Sequence, residues 1–152
     1  MARGIGSLAP DGLAVIDASV AIKWVVSEPL ADKAACLLDL PVRHAPAHYL
    51  AEACNAIWAM GHIRGELTQQ QCADRVAGLC KIPVIEAPLA GLAAEAARLS
   101  AELGITVYDT LYLALALKLG APLVTADRKL FERARGRAEI ASLVVWLGDI
   151  AV

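Results

Sequence analysis

The chain has 152 residues, 58% of them apolar, and a formal net charge of −2. That length suits one domain with a substantial core, and the near-neutral charge argues against a protein that coats nucleic acid by electrostatics alone. No apolar run approaches the roughly 20 residues of a membrane span: Lys23 interrupts one candidate, and Leu111 to Leu117 is too short.

Residues 1–12, with Gly4, Gly6, Pro10 and Gly12, read as a loose tail, and residues 13–152 as the single domain. Arg3 has no continuous apolar stretch behind it, so a secretory leader is not expected. Leu13 to Ile16 is a short apolar run of the kind that forms a buried strand, and it ends at Asp17. Helical sequence follows from Ser19 to Val26, and Pro29 opens another helix running through Leu40. Val42 to Ala45 is a weak second strand. From Pro46 a long helix reaches about Arg64, with Leu50, Cys54, Ile57 and Trp58 at the spacing of a core face. Thr68 and Gln71 make a capping box that starts the next helix, expected to bury Cys72, Val76, Leu79 and Cys80.

Pro83 to Glu86 reads as a third strand. Leu89 to Leu103 is amphipathic, with Leu92, Ala96, Leu99 and Leu103 on one side and Glu95, Arg98 and Glu102 at ion-pair spacing on the other. Gly104 stops it. Tyr108 to Leu119 is a further helix, ended by Gly120 and Pro122. Leu123 to Thr125 is the fourth strand, Asp127 opens a charged helix, and Leu143 to Leu147 is a last strand. Strands alternating with helices predict an α/β/α sandwich around a mainly parallel sheet of four to five strands. Cys36, Cys54, Cys72 and Cys80 form no C-x-x-C pair and read as small hydrophobes in a reducing cytoplasm.

Four acids stand in apolar surroundings: Asp17 in LAVIDAS, Glu52 in YLAEACNAIW, Asp109 in TVYDTLYLALA and Asp127 in LVTADRKL. Asp17 and Asp127 directly follow strands, so both belong to the carboxyl edge of the sheet, where open parallel sheets bind ligands. Each aspartate alone also suits a helix N-cap, and Glu52 alone suits a solvated helix position. Gathered together they would repel. At an effective dielectric near 20, two charges ~5 Å apart cost roughly 3 kcal/mol. A hard divalent cation, Mg²⁺ or Mn²⁺, is the simplest remedy.

The order and spacing of these strings carry a resemblance. VIDASVAIKW, LAEACNAIW, YDTLYLALA and LVTADRKL, spread over residues 13–147, resemble the PIN-domain nucleases, specifically the VapC-type toxins of bacterial toxin–antitoxin pairs. The resemblance implies a metal-dependent endoribonuclease whose Mg²⁺ or Mn²⁺ is held by Asp17, Asp109, Asp127 and Glu52. It implies products with a 3′-hydroxyl and a 5′-phosphate, an antitoxin protein as partner, and a homodimer. Ser19, two places after the first aspartate, orients a ligand or is an ordinary helix-start serine, while Thr125 and Asn55 are candidates for supporting the site. Lys23, Arg128 and Lys129 are candidate RNA contacts, with Arg133, Arg135 and Arg137 in the same basic stretch. Trp24 and Trp58 could stack on bases but are expected to be buried. His48 departs from the family pattern, one helical turn before Glu52, where an apolar residue is expected.

Other readings compete. A haloacid-dehalogenase-type phosphatase also places an aspartate after its first strand, but needs a second acid where this chain has Ser19. A receiver-type signalling module needs an acidic pair and a late lysine that do not stand out here. A PIN fold that only binds a partner would not need all four acids.

Overall fold

The computed structural model describes residues 4–9 and 11–152. Five strands, β1 (Leu13–Ile16), β2 (Val42–Pro46), β3 (Ile85–Ala87), β4 (Leu123–Thr125) and β5 (Val144–Trp146), form one sheet in the order β3-β2-β1-β4-β5. Every pairing is parallel: Leu13 lies beside Val42, Ile16 beside Val124, His44 beside Ile85 and Thr125 beside Trp146. The two central strands explain their composition, since Ala14, Val15, Ile16, Leu123 and Val124 are all buried and parallel sheets are covered on both faces.

The helices are α1 (Ile5–Leu8), α2 (Ala18–Ala21), α3 (Ala31–Cys36), α4 (Tyr49–His62), α5 (Gln69–Leu79), α6 (Ala93–Leu103), α7 (Val107–Leu119), α8 (Arg128–Arg135) and α9 (Ala138–Ala141). Crossover connections carry the chain from β1 outward through β2 to β3, and then back across β1 to β4 and β5. The direction therefore reverses between β1 and β4, and the helices divide between the two faces. This is the α/β/α sandwich expected from the alternating pattern.

Several boundaries differ from the sequence reading, each for a local reason. The segment expected as one helix from Ser19 to Val26 is α2 followed by a tight 3₁₀ turn, Ile22–Trp24. The helix expected from Pro29 starts only at Ala31, because Leu30 takes a left-handed backbone at φ 70° and separates the proline from the helix. Pro46 ends β2 instead of opening α4. The expected loose tail falls partly on residues 1–3 and 10, outside the described residues. Within it α1 makes a single turn and Ala9 is buried.

The core face of α4 is Tyr49, Ala53, Ile57 and Met60 rather than the stripe that included Trp58. Trp58 is about half exposed and stacks on His62, with ring centroids 5.1 Å apart. Trp24, by contrast, packs inward and donates its indole N–H to the Ala34 carbonyl at 2.8 Å. On α5, Leu79 is buried but Cys80 is exposed, and the capping box at Thr68 forms as expected, with both reciprocal hydrogen bonds present. The pair α6–α7 packs tightly: Thr110, fully buried, donates its hydroxyl to the Ala96 carbonyl at 2.7 Å. Gly104 and Gly120 end these helices with left-handed backbones (φ 64° and 60°), a conformation glycine adopts without steric cost.

Candidate active site

The reversal of strand order between β1 and β4 opens a crevice at their carboxyl ends, the place where doubly wound sheets bind ligands. Asp17 takes the first position after β1 and donates its backbone N–H to the Val124 carbonyl at 3.1 Å. The residue is only 7% exposed. Two hydroxyls donate to the same oxygen, Oδ2: Ser19 at 2.7 Å and Thr125 at 2.5 Å. Each hydroxyl in turn accepts a backbone N–H, Ser19 from Ala126 at 3.0 Å and Thr125 from Asp127 at 2.9 Å. Those N–H bonds leave the hydroxyl protons directed at Asp17. Ser19 and the fully buried Thr125 thus lace the end of β1 to the end of β4.

Burial drives the Asp17 carboxyl up from 3.8 to about 6. The two hydroxyls pull the other way, and the charges of Glu52 and Asp127 push it higher. Desolvation is the dominant cause because a buried carboxylate loses its hydration.

Asp127 stands at the N-cap of α8 and accepts the Leu130 N–H on Oδ1 at 3.0 Å. Asp109 is not the cap of α7. Thr106 holds that position, accepting the Asp109 N–H at 3.2 Å and donating its hydroxyl to Asp109 Oδ2 at 2.9 Å. Burial raises the Asp109 carboxyl above its ordinary range, with Thr106 opposing, Asp127 and Glu52 adding repulsion, and Lys129 attracting.

Glu52 reaches the crevice from the first turn of α4. The hydroxyl of Tyr112, a residue 1% exposed, donates to Glu52 Oε1 at 2.8 Å. Burial pushes that phenol far above its ordinary value, so it remains a donor at any working pH. The same oxygen lies 2.9 Å from His48 Nε2, which also stands 3.0 Å from the Tyr108 carbonyl. With acceptors on both sides, Nε2 carries the proton. Burial opposes charging of His48, but the Glu52 carboxylate, the Tyr108 carbonyl and Asp17 together raise its pKa.

One regularity runs through the four acids. In each, these hydrogen bonds fall on a single oxygen: Oδ2 of Asp17, Oε1 of Glu52, Oδ2 of Asp109 and Oδ1 of Asp127. The second oxygen of each takes none of these hydrogen bonds. The acids are mutually coupled, Asp17 with Glu52 and Asp127, and Asp109 with Asp127 and Glu52. They stand at Coulombic rather than ligating spacing, because among the described residues no three His, Cys, Asp or Glu side chains form a ready-made metal cluster. An all-carboxylate set in which burial raises the Asp17 and Asp109 carboxyls nonetheless suits a hard dication, which would relieve the repulsion.

Of the other candidates, Lys129 acts on Asp109. Arg128 folds its guanidinium over the Trp146 ring, 3.9 Å from the centroid, and Lys23 pairs with Glu28 at 3.1 Å. Arg135 lies over Phe131, and Arg137 pairs with Glu102. Asn55 is exposed on α4, three residues after Glu52. The hollow of about 360 Å³ lined by Trp58, Gly61, His62, Leu67, Gln69 and Cys72 lies away from the acids, between α4 and α5. Sequence reasoning missed Tyr112 and Thr106. The signal for both was spacing: each lies three residues from Asp109 along one helix.

The family model of the PIN domain matches residues 14–136. Ribonuclease VapC12 of Mycobacterium tuberculosis is 33% identical over 131 residues, covering 83% of this chain and 95% of the relative, and the match recurs in a second strain of that organism. Among solved structures, that of PAE2754 from Pyrobaculum aerophilum aligns with a TM-score of 0.64 at 22% identity, covering 90% of this chain and 92% of that one. That likeness is one of fold.

Proposed function

The chain belongs to the PIN-domain family, and from that premise we propose that it is a metal-dependent endoribonuclease acting as the toxin of a toxin–antitoxin pair. The observation that carries the reading is the quartet of acids around the β1–β4 crevice, each with one oxygen tied to protein donors and one left over. RNA as substrate is supported by the ribonuclease relative from M. tuberculosis. The phosphatase and receiver readings fall with family membership.

In this reading Asp17, Asp109 and Asp127 hold Mg²⁺ or Mn²⁺, and Glu52 binds through water or helps hold a second ion. When bound, the ion supplies hydroxide from water near neutral pH and offsets charge on the phosphate. The protein's own groups do the rest. Ser19 and Thr125 hold Asp17 in one orientation and favour its anionic form. Tyr112 holds Glu52 in one orientation. Lys129, beside Asp109, offers a cation to the RNA backbone, with Lys23, Arg128 and Asn55 as further candidates along its path.

An antitoxin protein and a second copy of the chain are the proposed partners, in the cytoplasm. No helix of the described residues is long and apolar enough to cross a membrane. The exposed Trp58 and Ile63 on the α4 end supply apolar surface of the kind protein partners cover.

The test is cleavage of end-labelled single-stranded RNA by purified protein. We expect cutting with Mn²⁺, none with chelator, and none in D17N or D109N. Cutting that survives both substitutions would place the activity elsewhere. A wild type that binds RNA or partner but never cuts would favour the silent-binder reading.

A further inference from the structure

His48 is a histidine where packing alone would favour an apolar side chain. Its side chain is only 10% exposed, and its Nδ1 is buried without a hydrogen-bond partner. Such an orphaned atom costs stability, so filling space does not explain the residue. Its other nitrogen is fully engaged. Nε2 lies 2.9 Å from Glu52 Oε1 and 3.0 Å from the Tyr108 carbonyl. One N–H therefore joins the first turn of α4, which carries Glu52, to the first turn of α7, which carries Asp109. The ring packs between Tyr112 and Tyr108, with centroids 5.1 and 5.9 Å away, so its plane is held.

Resting on the proposed reading of the site, we infer that His48 is a positioning residue: its Nε2–H fixes Glu52 in place and sets the separation of the two helices that carry Glu52 and Asp109. Tyr112 donates to Oε1 and His48 Nε2 lies 2.9 Å from the same oxygen, which leaves Oε2 outside these contacts. Loss of either donor lets the carboxylate rotate, and loss of His48 also frees the start of α7. Groups that orient carboxylates around a metal typically change affinity 10- to 100-fold when removed.

The ring's two nitrogens allow a discriminating test. Glutamine places an N–H near the position of Nε2, whereas asparagine places one near Nδ1. Leucine removes both. Mn²⁺ binding to wild type, H48Q, H48N and H48L is measured by calorimetry, alongside the melting temperature of each metal-free protein and kcat and KM on RNA. We expect H48L and H48N to bind Mn²⁺ about 10-fold or more weaker, with the loss in kcat rather than KM, and H48Q to recover most of the affinity. Melting of metal-free H48L should fall only modestly, because the lost Nε2–H contacts are partly offset by removal of the orphaned nitrogen. Equal Mn²⁺ affinity in all four proteins would overturn the inference while leaving the metal site intact. So would losses that track melting temperature regardless of which donor is kept. A wild type that binds no Mn²⁺ would overturn the reading of the site, and this inference with it.

Discussion

Replacing Asp17 by asparagine should stabilise the metal-free protein, and only above a defined pH. The carboxyl is buried and its pKa rises from 3.8 to about 6 on folding, chiefly through desolvation. Above pH 6 the folded protein must hold an anion that the unfolded chain holds at less cost. The difference of about 2 pKa units corresponds to roughly 3 kcal/mol at 1.36 kcal/mol each. The sign follows from proton counts. Between about pH 4 and 6 the folded state binds more protons at this site than the unfolded state, so Asp17 makes stability fall as pH rises. Asparagine keeps a carbonyl for the Ser19 and Thr125 hydroxyls but carries no charge. The wild-type and D17N proteins should therefore be nearly equal at pH 4 and diverge to about 3 kcal/mol in favour of D17N by pH 7.5. For a chain of this size that is of order 6–12 °C in melting temperature. The assay is denaturant unfolding in chelator, followed by tryptophan fluorescence at each pH. Taking the difference between the two proteins cancels other titrating groups. Added Mn²⁺ should raise wild-type stability and leave D17N nearly unchanged. A gap that does not vary with pH, or a D17N protein less stable at pH 7.5, would refute the desolvation argument.

Thr125→Val removes the hydroxyl that donates to Asp17 and accepts from Asp127. It should cost about 1–3 kcal/mol for the buried groups left unpaired, and should shift the acidic limb of the pH–rate profile upward. Tyr112→Phe leaves Glu52 held by His48 alone, and should weaken Mn²⁺ binding by about 10-fold in a calorimetric titration while the fold persists. Thr68→Ala breaks the capping box of α5. It should lower stability by about 1 kcal/mol in a denaturant melt and leave RNA cleavage unaltered.

The strands, and the places of Asp17 and Asp127 beyond their carboxyl ends, were legible in the sequence because each has a local signature. Short apolar runs ending at an aspartate specify a buried strand and its carboxyl edge, and the real strands lie within a residue or two of those runs. The faces of α4 and α7 were not legible, for a shared reason. Both helices are apolar nearly all round: α7 buries every residue from Thr110 to Ala116, so periodicity selects no side. For α4 the true core face, Tyr49 to Met60, is lined partly by alanine, which a hydrophobicity stripe undervalues beside Leu50 or Trp58. The hydroxyl of Tyr112 was hidden for the same reason, since nothing local says that it turns toward a glutamate 60 positions earlier. The cations are a different case. Arg128 and Lys23 take partners from distant or neighbouring turns, Trp146 and Glu28, that composition does not announce.

The most direct measurement is an anomalous-difference map from crystals soaked in Mn²⁺. A peak is expected bonded to Asp17 through Oδ1, about 2.0–2.6 Å away as oxygen-ligated dications require, with Asp109 and Asp127 closing on it and Glu52 nearby. Crystals of RNA-cleaving protein that show the ion elsewhere, with these acids unliganded, would contradict it.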